Sequence, residues 1–322
     1  MRLKDVHFLS YLKKKIFKFS FEISEKNIKL LEYFVATIDR IILFATINRP
    51  LKIKESKSKF IKEKIEIYIG ILVKDRPIEL MNLYLSIKNT LNDMTENIHI
   101  YFFDDNSKDF RTLEILNLIL KNHPNVSRVR RDHSENSWNS AHNWAINTFY
   151  ELSKNDFDII GTIDSDMVLA NDWVRVIQES VVNLNLKKDL PIQYISIFNS
   201  DDRNFHRWKR IVEINGTKYV IKLRMGGATL FFLKKNFKLY SKSRYDKMGK
   251  HYGNFDDESR MTRKLLIQGL YCASTLESYA EHLPTYSILD SSRRFKSSAT
   301  KALNLKQENF DPEIRALLGR EI

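Results

Sequence analysis

Short β-branched, apolar runs alternate with helical patterns over about 100 residues from Ile65, and this alternation constrains the fold more than any other feature. The first run, Ile65–Val73, is almost continuously apolar, as in a strand buried on both faces of a parallel sheet. A helical pattern follows from Pro77, and a second strand is predicted at Ile98–Phe103. Repeated strand–helix units predict a Rossmann-like α/β fold, with a mostly parallel central sheet flanked by helices.

The same alternation continues along the chain and then becomes mixed after about residue 190. Further helices and strands are predicted, in alternation, at 113–120, 126–129, 137–152 and 157–163. Beyond them come strands at 192–198, 211–214, 218–223 and 228–233, and a helix at 257–268. Asn215-Gly216 lies between two β-rich runs, which is a strong signal for a tight hairpin.

Positive charge is concentrated at the beginning of the chain. Residues 1–64 hold 16 Lys or Arg and 7 Asp or Glu, and so carry +9 of the total net charge of +13. We therefore predict a basic, mainly helical extension at 1–62, a single α/β domain at 63–290 and a helical tail at 291–322. The nearly neutral body argues against a nucleic-acid-binding protein. The extension is either a solvated arm packed on the domain or a surface that contacts an anionic membrane.

Cysteine content and hydropathy predict a cytoplasmic protein. The single cysteine, Cys272, cannot form an intrachain disulfide. No apolar run approaches the roughly 18 to 20 residues that cross a bilayer, and the N-terminal residues lack the pattern of a secretory signal. If the basic extension binds lipid, we expect the protein to lie peripherally at the inner face of the membrane.

Polar clusters directly follow three of the predicted strands. Lys74-Asp75-Arg76 follows the first strand, Asp104-Asp105 the second and Asp164-Ser165-Asp166 the fourth. Ligands of open α/β sheets bind outside the carboxyl ends of the strands, so we expect the three clusters to meet at one edge. An isolated D-x-D tripeptide is usually a solvated turn, and its position after a buried strand is what indicates a site.

The order of these signals resembles the inverting family-2 glycosyltransferases of the GT-A fold. The resemblance covers about Lys64 to His282. Its motifs are Arg76-Pro77, Asp104-Asp105-Asn106-Ser107-Lys108-Asp109, Ala141-His142-Asn143, Asp164-Ser165-Asp166, Gly226-Gly227-Ala228, Asp256-Asp257-Glu258 before a helix closed by Gly269, and His282. Each motif alone is weak, but the order and spacing of the set are specific. Ser137, where the family often has glycine, is a departure at the pyrophosphate side.

The resemblance implies a divalent metal, Mn²⁺ or Mg²⁺, held by Asp164, Asp166 and His282. Asp166 would contact the metal directly, and Asp164 would contact the metal or the ribose. His282 would bind the metal or a phosphate, and its alternative is an ordinary packed histidine. Carboxylates suit a hard cation that neutralises the charge growing on a diphosphate leaving group.

The resemblance also implies a nucleotide-sugar pocket. Its residues would be Asp75, Arg76, Asp104, Asp105, Asp164, Gly226 and Gly227. Asp104 would accept a hydrogen bond from the base, and the glycine pair would let the backbone approach the donor sugar. The alternatives are a helix cap or Asx turn at Asp104–Ser107 and a tight turn at the glycines.

A general base is implied within Asp256-Asp257-Glu258, where it would take the proton of the acceptor hydroxyl. Asp257 is the preferred base. Glu258 stays open because the spacing from Asp257 to Gly269 is one residue longer than the common family pattern. The alternative is an acidic helix start that complements the helix dipole. Trp208 either stacks on a sugar ring or is an ordinary packed aromatic.

Together these features predict a metal-dependent inverting glycosyltransferase of the hexosyl or N-acetylhexosaminyl class. We expect a UDP-sugar donor and a glycan or lipid-linked acceptor in surface polysaccharide synthesis. One alternative is a sugar-nucleotide nucleotidyltransferase, disfavoured because no glycine cluster follows the first strand. The other alternative is a basic protein that binds membrane or nucleic acid and has an inactive core. The charge of the first 64 residues permits this alternative, but Asp164, Asp166 and Asp257 are intact and so give no reason to assume an inactive core.

Overall fold

The computed structural model describes residues 65–134, 138–186, 192–199, 208–222, 227–237 and 270–282, together with Pro312. The predicted extension at 1–62 and, apart from Pro312, the predicted tail at 291–322 lie outside the described residues. Gly226 and Asp256–Glu258 also lie outside them. The predictions for these positions therefore remain predictions from sequence.

Eleven strands form two sheets in the described chain. In chain order they are β1 (Ile67–Val73), β2 (Ile98–Asp104), β3 (Ser127–Arg130), β4 (Ile159–Asp164), β5 (Met167–Leu169), β6 (Ile192–Ser196), β7 (Trp208–Ile214), β8 (Thr217–Lys222), β9 (Thr229–Leu233), β10 (Tyr271–Thr275) and β11 (Ala280–His282). The large sheet has the order β3-β2-β1-β4-β9-β6-β10-β8-β7, and β5 pairs with β11. Only β8 and β9 run against the other strands of the large sheet, so the predicted mostly parallel α/β sheet is confirmed.

Four helices of the described residues cover the two faces of the large sheet. They are α1 (Pro77–Asn92), α2 (Phe110–Asn122), α3 (Trp138–Leu152) and α4 (Trp173–Leu186). Side chains of α1, α2 and α4 join one hydrophobic core, whereas α3 packs on the opposite face through Ala145, Ile146 and Phe149. Within the described ranges, no helix combines the length and apolar character needed to cross a membrane.

One helix, α4, and three strands, β5, β10 and β11, escaped the sequence prediction. Helix α4 was not predicted, although Val174, Ile177, Val181 and Leu184 are buried at helical spacing. Strand β10 was also missed, because Tyr271–Thr275 is short and four of its five residues are small or polar. The hairpin at Asn215-Gly216 is confirmed: it joins β7 to β8, and both residues have positive φ, 51° and 79°, as a type I′ turn requires.

Strand β1 marks the point at which the strand order reverses. The chain passes from β1 to β2 and β3 on one side, then returns to β4 on the other side of β1. The register places Val73 beside Asp104 and Leu72 beside Asp164. In such sheets the crevice at the reversal, outside the carboxyl ends, is where ligands bind.

Gly161 lets β4 pack closely against β9. It lies opposite Phe231 in the ladder, and a Cβ atom there would come within 2.0 Å of the Phe231 ring and 2.5 Å of the Leu230 carbonyl oxygen. At Gly70, by contrast, the nearest atoms are the ring edges of Phe149 and Phe103 at 3.0–3.2 Å. The backbone contact at Gly161 cannot be relieved by a side-chain rotation.

We predict that Gly161→Ala destabilises the protein by about 2 kcal/mol or more, because the added methyl group overpacks the centre of the sheet. Urea unfolding followed by circular dichroism measures the change. Gly70→Ala is the matched control and should cost clearly less, since only ring edges must move. Equal losses for the two variants would show that the contact with Phe231 and Leu230 does not limit the packing.

Candidate active site

The polar clusters predicted to meet at one edge do so around the end of β1. Asp104 and Asp164 are the last residues of β2 and β4. The backbone N–H of Asp105 donates to the Val73 carbonyl at 2.9 Å, and that of Ser165 donates to the Leu72 carbonyl at 3.2 Å. These two hydrogen bonds hold both acidic loops against β1.

Asp104 lies at the bottom of this edge and is fully buried. Its Oδ1 accepts from the backbone N–H of Ser107 at 2.8 Å. Its Oδ2 forms an ion pair with Arg128 and lies 3.5 Å from Nε of Arg130. Both oxygens of the Asp104 carboxylate therefore have partners. The bond to Ser107 spans three residues, whereas an Asx turn spans two, and Asp109 caps the following helix, so neither of the alternatives for Asp104–Ser107 is what the structure shows.

Asp105 contacts side chains rather than backbone amides. Arg131 donates to its Oδ1, and the hydroxyl of Ser134 donates to its Oδ2 at 2.7 Å. Nζ of Lys74 lies 3.7 Å from the same Oδ2 and donates to Ser134 at 2.6 Å. Arg131 also lies over the ring of Trp144, 5.2 Å from its centroid. Asp105 is therefore surrounded by groups that carry positive charge.

Asp75 joins the loop after β1 to the loop after β2. Its φ of 45° is in the left-handed region, which Asp tolerates better than most residues. Its Oδ1 accepts from the backbone N–H groups of Lys108, at 2.5 Å, and Asp109, at 2.8 Å. Asp109 in turn caps α2 by accepting from the N–H of Arg111. These contacts give Asp75 a role in fixing the shape of the edge.

Asp166 lies in the turn between β4 and β5 and is buried. Arg76 donates to its Oδ2 and forms an ion pair with it. The Nε2 atom of His282 lies 3.5 Å from its Oδ1. His282 lies close to Asp166 because β11 pairs with β5, which places His282 opposite Met167, the residue after Asp166. The structure thus brings together Arg76, Asp166 and His282, which are up to 206 positions apart in the sequence.

Asp164 is the first residue of the D-x-D motif, and its side chain contacts helix α3. Its Oδ1 lies 3.1 Å from Nε2 of His142, and Nδ1 of that ring lies 2.8 Å from the hydroxyl of Thr162. The backbone N–H of Asp164 donates to the Ala228 carbonyl at 2.9 Å. Gly227 directly precedes Ala228 in the chain, and the approach of Gly226-Gly227 to a donor sugar remains a prediction.

The residues at this edge fit a divalent ion that is shared with a bound phosphate. Within the described ranges, no group of three or more His, Cys, Asp or Glu side chains forms a ready-made metal cage. Mg²⁺ usually keeps several waters and binds through one or two carboxylates together with substrate phosphates. Asp166 and His282, with Asp164 two residues away, match that sparse donor set.

Burial raises the pKa of two ionisable groups on β11 and β10, Glu281 and Cys272. Burial raises the pKa of Glu281, on β11, to about 8, so its carboxyl group is mostly protonated at neutral pH. Cys272, on β10, is fully buried, and burial raises the pKa of its thiol far above the usual range. A thiol that does not ionise is not a nucleophile.

Sequence reasoning missed the arginines and the histidine that surround the aspartates. Arg128 and Arg131 lie on and just after β3, and His142 lies on α3. The signal for the arginines was the sequence Arg128-Val-Arg130-Arg131 at the end of a strand next to Asp104-Asp105. For His142 only the tertiary contact with Asp164 reveals a role. Trp208 begins β7, and its predicted contact with a sugar remains a prediction.

Comparison with known proteins gives this site a family context. The sequence profile of glycosyl transferase family 2 matches residues 71–249. Similar solved structures include the mannosyltransferase PcManGT from Pyrobaculum calidifontis in complex with GDP-Man and Mn²⁺ (9% identity, TM-score 0.39, 73% of this chain and 61% of that one). S. aureus TarS 1-349 in complex with UDP-GlcNAc is another (10% identity, TM-score 0.47, 71% of this chain and 61% of that one). The chain thus spans about three-fifths of the length of these structures. No curated protein matches the chain significantly.

The profile match covers the acidic edge and stops before the predicted base. It runs from within β1 to beyond β9 and includes Asp75, Asp104, Asp105, Asp164 and Asp166. Asp256–Glu258 and His282 follow its end. More than half of the chain matches the profile, and the described sheet has the α/β arrangement expected of the GT-A fold. The chain therefore belongs to glycosyl transferase family 2, a family of glycosyltransferases.

Proposed function

We propose that this protein is a metal-dependent inverting glycosyltransferase that uses a nucleotide-sugar, with a UDP-sugar as the expected donor. One observation carries the proposal: Asp166, Arg76 and His282 meet at the strand-order reversal of a family-2 chain. This places carboxylate, guanidinium and imidazole groups where an α/β sheet binds its ligand. Guanidinium groups bind phosphate oxygens, and carboxylates bind hard divalent cations, so this set of groups suits a diphosphate that carries a divalent cation.

Asp166 and His282, with Asp164 beside them, would hold Mn²⁺ or Mg²⁺. Such an ion neutralises the negative charge that grows on the diphosphate as the bond to the sugar breaks. Arg76 would donate to a phosphate oxygen, because its guanidinium already lies at Asp166 and Arg is well suited to phosphate. Gly226 and Gly227 would leave room for the donor sugar beside Asp164.

The nucleotide would lie over the edge formed by β1, β2 and β3. Asp104 and Asp105 are both candidates for the contact with the base. The contacts of Asp105 with Ser134 and Lys74 can be exchanged by side-chain rotation, whereas Asp104 is held by a backbone N–H and is fully buried. We therefore favour Asp105 for the contact with a base N–H, with Asp104 supporting the edge from below.

In an inverting transfer, the acceptor hydroxyl oxygen bonds to the anomeric carbon as the bond from that carbon to the diphosphate oxygen breaks. The nucleoside diphosphate leaves with the electron pair of the broken bond. Asp257, with Glu258 or Asp256 as the alternative, would take the proton of the hydroxyl. This assignment rests on the motif in the sequence.

The biological setting is also proposed from sequence. We propose a hexosyl or N-acetylhexosaminyl transferase that acts on a glycan or lipid-linked acceptor in surface polysaccharide synthesis. The charge of the first 64 residues supports peripheral contact with an anionic membrane from the cytoplasmic side. Deletion of residues 1–62 would separate that contact from catalysis.

Thermal unfolding with UDP, GDP, CDP, ADP and dTDP tests the donor site, because a ligand that binds the folded state raises the melting temperature. We expect one nucleotide, UDP first, to stabilise the protein with Mn²⁺ and not with EDTA. Asp166→Ala should abolish the metal-dependent shift, since it removes the central carboxylate.

Asp172→Ala is the matched control, because Asp172 forms a surface ion pair with Arg175 and should leave the shift intact. If no nucleotide shifts the transition with metal, the proposed function is refuted and an inactive core becomes the better explanation. A shift that persists in Asp166→Ala would remove Asp166 from the metal site.

Asp104→Asn should mainly lower the stability of the protein, whereas Asp105→Asn should mainly weaken nucleotide binding. We expect Asp104→Asn to cost about 3 kcal/mol of stability, because Arg128 loses its charged partner inside the protein. Asp105→Asn should cost less stability and weaken nucleotide binding about 10-fold, the effect of one lost charged hydrogen bond. Urea unfolding and calorimetric nucleotide titration measure both. A loss of affinity confined to Asp104→Asn would return the base contact to Asp104.

Asp257→Asn should lower the transfer rate about 10²- to 10⁴-fold, because the acceptor hydroxyl loses its general base. Donor affinity should stay unchanged, since the base does not contact the nucleotide. Single-turnover transfer with the identified donor, alongside nucleotide titration, separates the two effects. Glu258→Gln and Asp256→Asn are the matched controls, and a larger loss in either would move the base to that residue.

A further inference from the structure

A buried chain of hydrogen bonds leads from the centre of β4 to the first aspartate of the D-x-D motif. The hydroxyl of Thr162 lies 2.8 Å from Nδ1 of His142, and Nε2 of the same ring lies 3.1 Å from Oδ1 of Asp164. Thr162 is fully buried, and His142 is 2% exposed. The ring therefore connects two residues of one strand from a helix on the face of the sheet.

The chemistry of the three groups fixes the direction of this chain. An ionised carboxylate only accepts hydrogen bonds, so Nε2 of His142 must carry a proton and donate it to Asp164. In the neutral ring Nδ1 then accepts from the Thr162 hydroxyl. If the ring is charged, Nδ1 donates to the same hydroxyl instead, so the orientation of the ring does not depend on its charge.

We infer that Thr162 and His142 are positioning residues that hold the carboxylate of Asp164 in the orientation used for metal and donor binding. Thr162 and Asp164 are two positions apart on β4, so their side chains project to the same face of the sheet, the face covered by α3. The ring of His142 closes that gap and ties Oδ1 of Asp164 to the interior. Hydrogen bonds that orient a ligating carboxylate typically change metal affinity 10- to 100-fold when they are removed.

A purely structural role for His142 predicts a different result. A buried imidazole needs partners wherever it lies, and any one acceptor and one donor would satisfy the neutral ring. Here one partner is a residue of the proposed metal and donor site, with a side chain 18% exposed. Loss of the Thr162 hydroxyl should therefore weaken the binding of the metal ion as well as lower the stability of the fold. This inference rests on the proposed donor site.

The test compares Thr162→Val, which keeps the shape and removes the hydroxyl, with Thr162→Ser, which keeps the hydroxyl. The matched control is Thr112→Val on α2, because the Thr112 hydroxyl is buried without a hydrogen-bond partner and lies outside this chain. Mn²⁺ is titrated calorimetrically in the presence of saturating UDP. We expect Thr162→Val to raise the Kd of Mn²⁺ about 10-fold, with Thr162→Ser and Thr112→Val near the wild-type value.

A second measurement tests the hydrogen-bond chain without any ligand. ¹⁵N NMR of the ring nitrogens, with the His142 signals assigned by their loss in His142→Gln, should show a proton on Nε2 at pH 8. A wild-type ring that carries its proton on Nδ1 instead would refute the inference, whatever the nucleotide does. In the His142→Gln background, Thr162→Val should have little further effect on Mn²⁺ affinity, because the two residues act through one ring.

The outcomes separate this inference from the proposed function. If wild-type protein binds Mn²⁺ and UDP, and Thr162→Val binds them equally well, the positioning role is refuted while the donor site stands. If Thr162→Ser weakens binding as much as Thr162→Val, packing rather than the hydroxyl is responsible, which also refutes the role. If the wild type binds neither, the proposed function fails and the positioning role fails with it.

Discussion

Five aspartates converge at the carboxyl edge around β1. The rest of the site must compensate the electrostatic repulsion between their carboxylates. They are Asp75, Asp104, Asp105, Asp164 and Asp166. An isolated carboxylate inside a protein costs several kcal/mol unless a cation or donors accompany it, as an order-of-magnitude value. This explains why β3, which is short and half-exposed, carries Arg128 and Arg130 and is followed directly by Arg131. Strand β2 ends at Asp104 and is followed by Asp105, and the neighbouring strand and its end supply the charge that allows the two acids to be buried together.

The partners of these aspartates differ in how easily they can be exchanged. Asp75 and Asp104 accept from backbone N–H groups, which move only if the loops move. Asp105 and Asp166 meet the side chains of Lys74, Arg76 and His282, which can rotate towards a ligand. The fixed contacts hold the shape of the edge. Under the proposed function, the exchangeable contacts would be released to a ligand: a phosphate that draws Arg76 away would leave Asp166 for a cation, so anion and metal binding would support each other.

The sequence predicted the parts of the fold that depend on local pattern. Continuous apolar runs identified β1 and β4, and Asn215-Gly216 identified the β7–β8 hairpin, because turn geometry and strand burial are encoded within a few residues. Helix α4 and strand β10 were missed. The acidic edge could be predicted because parallel strands end together, but the arginines of β3 could not, since their role depends on which strand lies next to β2. The contact of His142 with Asp164 depends on the packing of α3, which no local pattern shows.

The direction of the strands limits where a general base can lie. Strand β9 is antiparallel to β4, so Leu233 lies at the amino edge, and β10, parallel to β6, starts from that same edge. The chain from Phe237 to Leu270 thus leaves from and returns to the edge opposite Asp166. Strands of six or seven residues make the sheet about 20 Å high.

A base in this segment must lie far enough from both ends to cover that height. Asp257 is 20 residues from Phe237 and 13 from Leu270, or about 30 Å and about 20 Å at the rise of a helix. Residues closer to either end of the segment would need an extended chain to cover that height. The length of the segment is therefore compatible with a base at Asp256–Glu258, which remains a prediction from sequence.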